Sequence, residues 1–400
     1  MRWRLFWDRA VSDRNRSGRD VPRVANGPDS LYVEWPGGHR SRHLYFWLRE
    51  NCHCPRCTHP DAWERTADFL AIPLDIAPAS VRADGHGLHV EWPEHDAPCA
   101  GSFFSWDWLD AHRAERGARL ERKVRRRGWT ASDFGNGLPR FPHREVMGSD
   151  AALLAFLGTV DATGVALVEG LPDAQGAVTG LAERVGFIEE SHFGRHFDVV
   201  SRANAENLAY TAGRLQPHSD LPSRRHPPGI QFLHCLRNDA TGGDSVLADS
   251  IACAEALRER DPAAFELLST HSVTFTSTAD GWDIANRAPV IDVDEDGDIV
   301  GSRLHPALLG PVDVEPESQV AFYRAFRGLL SIASSEAMQL RVRLRPGECQ
   351  VFDNRRVLHG RDAFDPATGD RFLQGCYVGR DEFESRLKLL RRGGRDFRET

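Results

Sequence analysis

The first legible pattern along the chain is an alternation of apolar and polar side chains. Leu31-Tyr32-Val33-Glu34-Trp35 has the two-residue period of a half-buried strand, Pro36-Gly37-Gly38 supplies a turn, and His43-Leu44-Tyr45-Phe46-Trp47-Leu48 reads as the returning strand. Gly87-Leu88-His89-Val90-Glu91-Trp92 predicts a further strand that stops at Pro93, and Asp107 to Arg122 a helix charged along one side. From Asp150 the period lengthens. A helix capped by Asp150 is expected through Leu157, then a buried strand at Gly164-Val165-Ala166-Leu167-Val168 and a helix from Gly176 to Val185. Asp261-Pro262 starts another helix, because a proline in the first turn gives up an N–H that has no helical partner anyway. Strands are expected at 272–276, 290–293 and 299–304, with Asp294-Glu295-Asp296-Gly297-Asp298 turning between the last two, and a long helix over 318–334. Strands at 339–344, 349–352 and 372–378 complete the pattern.

Many short strands with inserted helices predict a mainly β fold with helices (α+β), arranged as a double-sheet jelly roll with helical buttresses. The looser stretch 128–145, with Gly135, Gly137, Pro139 and Pro142, marks a domain boundary. The expected organisation is a loosely ordered leader over 1–27, a small unit over 28–127 and a large unit over 140–400. Hydrophobic residues make up 41% of the chain, enough for a real core in a soluble protein. The net charge of −8 argues against a nucleic-acid partner. No apolar run reaches membrane-spanning length, and the arginine-rich N-terminus lacks the apolar stretch of a secretion signal, so a cytoplasmic protein is expected.

Two clusters carry chemistry. Cys52-His53-Cys54-Pro55-Arg56-Cys57 gathers three thiols, while the other five cysteines are scattered, which reads as one metal site among ordinary buried thiols rather than a disulfide framework. Zinc takes four ligands, often as three cysteines and a histidine, and spacing leaves His53, His59, His86, His89 and His95 all open as the fourth. The second cluster is His218-Ser219-Asp220 with the distant His359 and Arg371. Two imidazoles and one carboxylate hold Fe(II) on one face and leave the opposite positions open. Residues two apart on extended chain share a face, so His218 and Asp220 both point inward. Arg371 opens an apolar strand, where a buried guanidinium needs an anion, and the distal carboxylate of a 2-oxo acid suits it. These residues read as a non-haem Fe(II), 2-oxoglutarate-dependent oxygenase acting with O2.

Further stretches extend the pattern: Trp47-Leu48-Arg49-Glu50-Asn51-Cys52, Ala209-Tyr210-Thr211-Ala212-Gly213, His226-Pro227-Pro228-Gly229, Thr241-Gly242-Gly243-Asp244-Ser245, Phe352-Asp353-Asn354 and Leu358-His359-Gly360-Arg361. With these the chain resembles the γ-butyrobetaine hydroxylase and trimethyllysine hydroxylase family of 2-oxoglutarate oxygenases, over nearly its whole length. The resemblance implies a double-stranded β-helix catalytic domain behind a small zinc-binding domain, commonly as a homodimer. It implies His218, Asp220 and His359 as iron ligands, Arg371 as the 2-oxoglutarate anchor, and His95 as the fourth zinc ligand beside Cys52, Cys54 and Cys57. It places Phe193, Phe197, Tyr210 and Tyr377 at an aromatic cage for a trimethylammonium head. Two of these are Phe where the butyrobetaine enzymes carry Tyr and Trp, and Leu221 replaces a Tyr. Asn207 matches an asparagine that contacts the substrate carboxylate. The second such asparagine is absent, which leaves Arg303 or His305 to hold an anion.

The expected activity is hydroxylation of an unactivated C–H bond in a small betaine-like or amino-acid-like substrate, with succinate and CO2 as coproducts. Substrates in view are γ-butyrobetaine, trimethyllysine and a trimethylammonio-phosphonate. Two other readings compete: the same chemistry on a bulkier natural product or peptide, and a non-catalytic jelly-roll binding protein.

Overall fold

The computed structural model describes residues 21–93, 99, 101–135, 137–200, 208–313 and 315–393. The leader to residue 20, His95 and Asn207 lie outside the described residues. The chain divides into two compact units, residues 1–125 with 394–400, and residues 126–393.

In the first unit the antiparallel strands Arg23–Asn26, Ser30–Glu34 and Arg40–Leu44 form one sheet, and Ser80–Ala83, Gly87–Glu91 and Gly101–Ser105 another. Alternation does what the pattern predicts, burying Leu31, Val33, Leu88 and Val90 in a common core with Leu48, Phe104 and Leu109. Two buried indoles satisfy their N–H groups alike, Trp35 on Ser41 Oγ at 2.9 Å and Trp92 on Ser102 Oγ at 2.8 Å.

Two expectations fail here. The returning strand stops at Leu44, and Tyr45–Glu50 is a helix. A short apolar run carries no period of its own. The buried set Tyr45, Leu48 and Arg49 has helical spacing, and Arg49 enters the interior to donate to Cys57 Sγ at 3.4 Å. The helix expected over 107–122 is two helices, Trp106–Ala111 and Arg116–Arg122. His112 ends the first by stacking on Trp108 and donating from Nδ1 to the Trp108 carbonyl at 2.7 Å.

The second unit is built on two sheets. The larger runs, in spatial order, Phe197–Val200, Arg371–Val378, Ile230–Asn238, Glu348–Asp353, Val165–Glu169 and Arg140–Pro142, with Ile188–Glu189 also on the Arg371–Val378 strand. All its pairings are antiparallel except the last. The smaller runs Leu215–His218, Val357–Arg361, Ser245–Asp249, Leu340–Val342. Strand alternation gives the large sheet two different faces. Ile230, Phe232, Val351, Cys376 and Val378 pack under the helices Asp150–Thr163, Ala177–Val185 and Arg380–Arg392. Leu233, Cys235, Phe352 and Leu373 face Leu247, Val357 and Leu340 of the smaller sheet. A third core forms where the helices Ser250–Arg260, Pro262–Thr270 and Pro316–Ala333 cover the strands Val273–Ala279, Ile291–Val293 and Ile299–Ser302.

The caps obey the local chemistry. Ser149, one residue before the expected Asp150, accepts from Ala152 N, and Asp261 accepts from Ala264 N ahead of Pro262. Among the described residues no helix is long and apolar enough to cross a membrane.

Candidate active site

The smaller sheet creates the site. Its edge strand Leu215–His218 pairs with Val357–Arg361 so that His218 lies directly opposite His359. Pro217 has no N–H to offer, which an edge position tolerates. Cross-strand neighbours are close, and the two imidazole centroids are 4.3 Å apart. Asp220 follows, and its Oδ1 lies 3.4 Å from His218 Nε2 and 3.5 Å from His359 Nε2. His218 donates from Nδ1 to the Gln216 carbonyl at 2.8 Å, which turns the lone pair on Nε2 toward the carboxylate. Burial pushes His359 down to about 4, so it is neutral at ordinary pH. Burial raises Asp220, but His359, His218 and the Tyr377 hydroxyl outweigh it and hold the carboxyl below the usual range. Tyr377 donates to Asp220 Oδ2 at 2.7 Å. Two nitrogen lone pairs and a carboxylate converge with all ligand atoms within 4.8 Å, a donor set that fits a divalent cation such as Fe(II).

Asn354 fixes the turn that carries Asp220. Fully buried, it accepts from Asp220 N at 2.6 Å and donates to the carbonyls of Asp220 and Pro228 at 3.0 and 3.1 Å. Leu221 beside it takes a left-handed φ of 54°, a conformation uncommon for a bulky residue and maintained by this turn.

Arg371 is buried and donates from Nε to the Gly243 carbonyl at 3.3 Å. Gly243 has φ 75°, and a Cβ there would press on the Arg371 side chain at 3.1 Å, which accounts for the Gly-Gly pair in this loop. Burial and the neighbouring Arg361 push Arg371 down to about 10, so it stays charged. Among the described residues it forms no ion pair. Arg361 is bound instead to the carbonyls of Ala209, Thr211 and Gly213, and so anchors the segment that carries Tyr210.

The three converging ligands, Arg371, Phe193, Phe197, Tyr210 and Tyr377 all line one cavity of about 830 Å³. Phe197 sits 5.0 Å from the Tyr377 ring and lies across Gly375, where a Cβ would collide with it at 2.4 Å. Of the two anion candidates only His305 reaches the cavity. Arg303 is turned away, donating to the Arg224 carbonyl and lying beside Asp292. Gln231 and Trp282 are among the lining residues that escaped the sequence reading. Gln231 is a buried carboxamide whose Oε1 has no hydrogen-bond partner among the described residues. Trp282 follows an Asp280-Gly281 hairpin turn, a signal the sequence did contain.

The cysteine cluster also closes. Among the described residues Cys99 joins it, its Sγ lying 3.5 Å from Cys52 Sγ and 3.4 Å from Cys57 Sγ, while His95 lies outside the described residues. Pairing of Gly101–Ser105 with Gly87–Glu91 returns the chain to the Cys52–Cys57 loop at that point, so Cys99 is no ordinary buried thiol. Four Sγ atoms this close fit a tetrahedral zinc, whose ~2.3 Å bonds place thiolates ~3.8 Å apart.

Comparison with known proteins places the chain in a family. Residues 130–377 match the model of the taurine catabolism dioxygenase TauD, TfdA family, and residues 23–110 that of the γ-butyrobetaine hydroxylase-like N-terminal region. The chain is 40% identical to γ-butyrobetaine dioxygenase of Pseudomonas sp. (strain AK-1), across 92% of this chain and 96% of that one. It is 29% identical to the Homo sapiens γ-butyrobetaine dioxygenase, across 92% and 95%. It is 30% identical to trimethyllysine dioxygenase of Meyerozyma guilliermondii, across 93% and 96%. The chain belongs to the TauD, TfdA family of dioxygenases, with a mixed α/β fold. It is a 2-oxoglutarate-dependent dioxygenase, and its His-Asp-His and cysteine clusters are compatible with iron and zinc.

Proposed function

We propose that the chain hydroxylates an unactivated C–H bond of a small betaine-like substrate, γ-butyrobetaine or trimethyllysine among them, with succinate and CO2 as coproducts. In this reading His218, Asp220 and His359 hold the iron and Arg371 grips the distal carboxylate of 2-oxoglutarate. One observation carries it: the convergent donor set, a buried guanidinium without an ion pair among the described residues, and an aromatic wall share a single cavity. Iron(II) with 2-oxoglutarate supplies the power to activate O2 and cleave the C–H bond. The chain's own part is positional. Tyr377 orients the Asp220 carboxylate, Asn354 locks its backbone, and Phe193, Phe197, Tyr210 and Tyr377 receive the cationic head. His305, which lines the cavity, serves the substrate's anionic end, and the family resemblance assigns Asn207 to the same end. The two facing sheets support a double-stranded β-helix, and the free state of all eight cysteines suits a reducing cytoplasm. A homodimer is part of the same reading and rests on the family resemblance. Incubation with Fe(II), 2-oxoglutarate and each candidate betaine tests the activity: the expected result is betaine-dependent succinate release.

Asn354→Ala should weaken metal binding by about 10- to 100-fold, the usual cost of removing a residue that orients a ligand. Calorimetric titration with Mn(II) as an iron surrogate checks this, and an unchanged affinity in a folded variant contradicts the role.

For the cysteine cluster we infer a structural zinc on Cys52, Cys54, Cys57 and Cys99. Burial pushes the Cys57 thiol up to about 11, and it pushes Cys99 up as well, so binding a cation there releases protons. Cys99→Ser should lose zinc and lower the melting temperature by ~10 °C, about 2 kcal/mol for a unit of this size. His95→Ala should keep its zinc. Elemental analysis showing the reverse assigns the fourth position to His95.

A further inference from the structure

We propose that Trp282 is a specificity-determining residue of the substrate cavity, and that its indole supplies the strongest cation–π face in the wall receiving the quaternary ammonium head. The inference rests on the betaine reading above and extends it to a residue outside the four-position cage.

The cavity's charges state the problem. Its only carboxylate among the described residues is Asp220, which is committed to His218, His359 and Tyr377. Arg214, Arg361 and Arg371 also line it. Among the described residues a cationic head therefore finds no free counter-ion and is held by ring faces. Phe193 and Phe197 attract a cation less strongly than indole, the best of the aromatic partners.

Trp282 meets the need by geometry. It starts the returning strand of the hairpin formed by Val273–Ala279 and Trp282–Ala288, opposite Ala279. Its Nε1–H donates to Ser277 Oγ at 3.1 Å, which fixes the ring and leaves the indole without an unmet polar group. The ring packs edge-to-face with Phe193, 5.8 Å between centroids at 76°, and lies 4.5 Å from His192. Trp282 and Phe193 thus act as one wall of the cavity, and Phe197 and Tyr377 as another. A residue that only closed the hairpin tip would fill space; an indole locked by its N–H and lining the cavity also carries a negative π face.

The test compares γ-butyrobetaine with its isostere bearing a neutral tert-butyl head, in which carbon replaces the quaternary nitrogen. Trp282→Leu should raise KM for the betaine about tenfold while leaving KM for the isostere within about twofold, and Trp282→Phe should fall between. The KM for 2-oxoglutarate should stay unchanged in both. Should Trp282→Leu fail to fold, fluorinated tryptophan inserted at this one position keeps the shape and drains the ring of electron density. KM for the betaine should then rise with each added fluorine. An equal rise for cation and isostere, or no rise for either, overturns the role and leaves an apolar wall. Wild-type protein that turns over no betaine contradicts the substrate reading itself, and this role with it. Wild-type turnover with an unmoved ratio overturns Trp282 alone.

Discussion

Replacing Asp220 with alanine is expected to reduce betaine-dependent succinate release by on the order of a thousandfold or more, with His218→Ala close behind. The carboxylate is the one anionic donor of the cluster, and both imidazole Nε2 atoms face its Oδ1 at 3.4 and 3.5 Å. Alanine leaves two imidazoles alone, a set that binds Fe(II) weakly and supplies no anionic donor to offset its charge. Asp220→Asn separates the two effects. It keeps the shape and an oxygen for the Tyr377 hydroxyl, 2.7 Å away in the wild type, but removes the charge. Its activity should fall nearly as far. Anaerobic iron titration run beside the succinate assay checks the assignment, and a variant that binds iron and turns over like wild type contradicts it.

Arg371→Ala should raise the dissociation constant for 2-oxoglutarate about 30-fold or more, from the ~2–5 kcal/mol that a buried carboxylate loses with its charged partner. Arg371→Lys keeps the charge but loses the planar fork and should recover only part of the affinity. A 2-oxo acid lacking the distal carboxylate should bind wild type and Arg371→Ala alike, because the guanidinium then has nothing to hold. Equilibrium titration without O2 measures all of these. Loss of affinity for both acids in equal proportion assigns Arg371 to the fold instead.

These residues were legible because the motif chemistry is local and the sheet does the rest. His-x-Asp states two of the three clustered donors within three residues. His359 lies far along the chain, yet antiparallel pairing sets it opposite His218. What escaped depended on long-range register or on an ambiguous period. Cys99 looked like any scattered thiol until the Gly101–Ser105 strand returned it to the Cys52–Cys57 loop. Gln231 sits mid-strand in an apolar run, and only the choice of sheet face turns it to the cavity while Phe232 turns to the helices. Arg303 and His305 are two residues apart and both suited an anion, but Asp292 holds Arg303 in a separate cluster with Arg355. Tyr45 to Leu48 gave an apolar run too short to tell strand from helix, and tertiary burial of Arg49 decided it.

The most direct measurement is product stoichiometry. Purified protein is loaded with Fe(II) and given O2, 2-oxoglutarate and γ-butyrobetaine or trimethyllysine, and succinate and betaine product are quantified together by mass spectrometry. The account predicts one succinate for each betaine molecule gaining a single oxygen, and neither product from Asp220→Ala. Succinate that forms at the same rate without betaine, or betaine recovered unchanged, would contradict it.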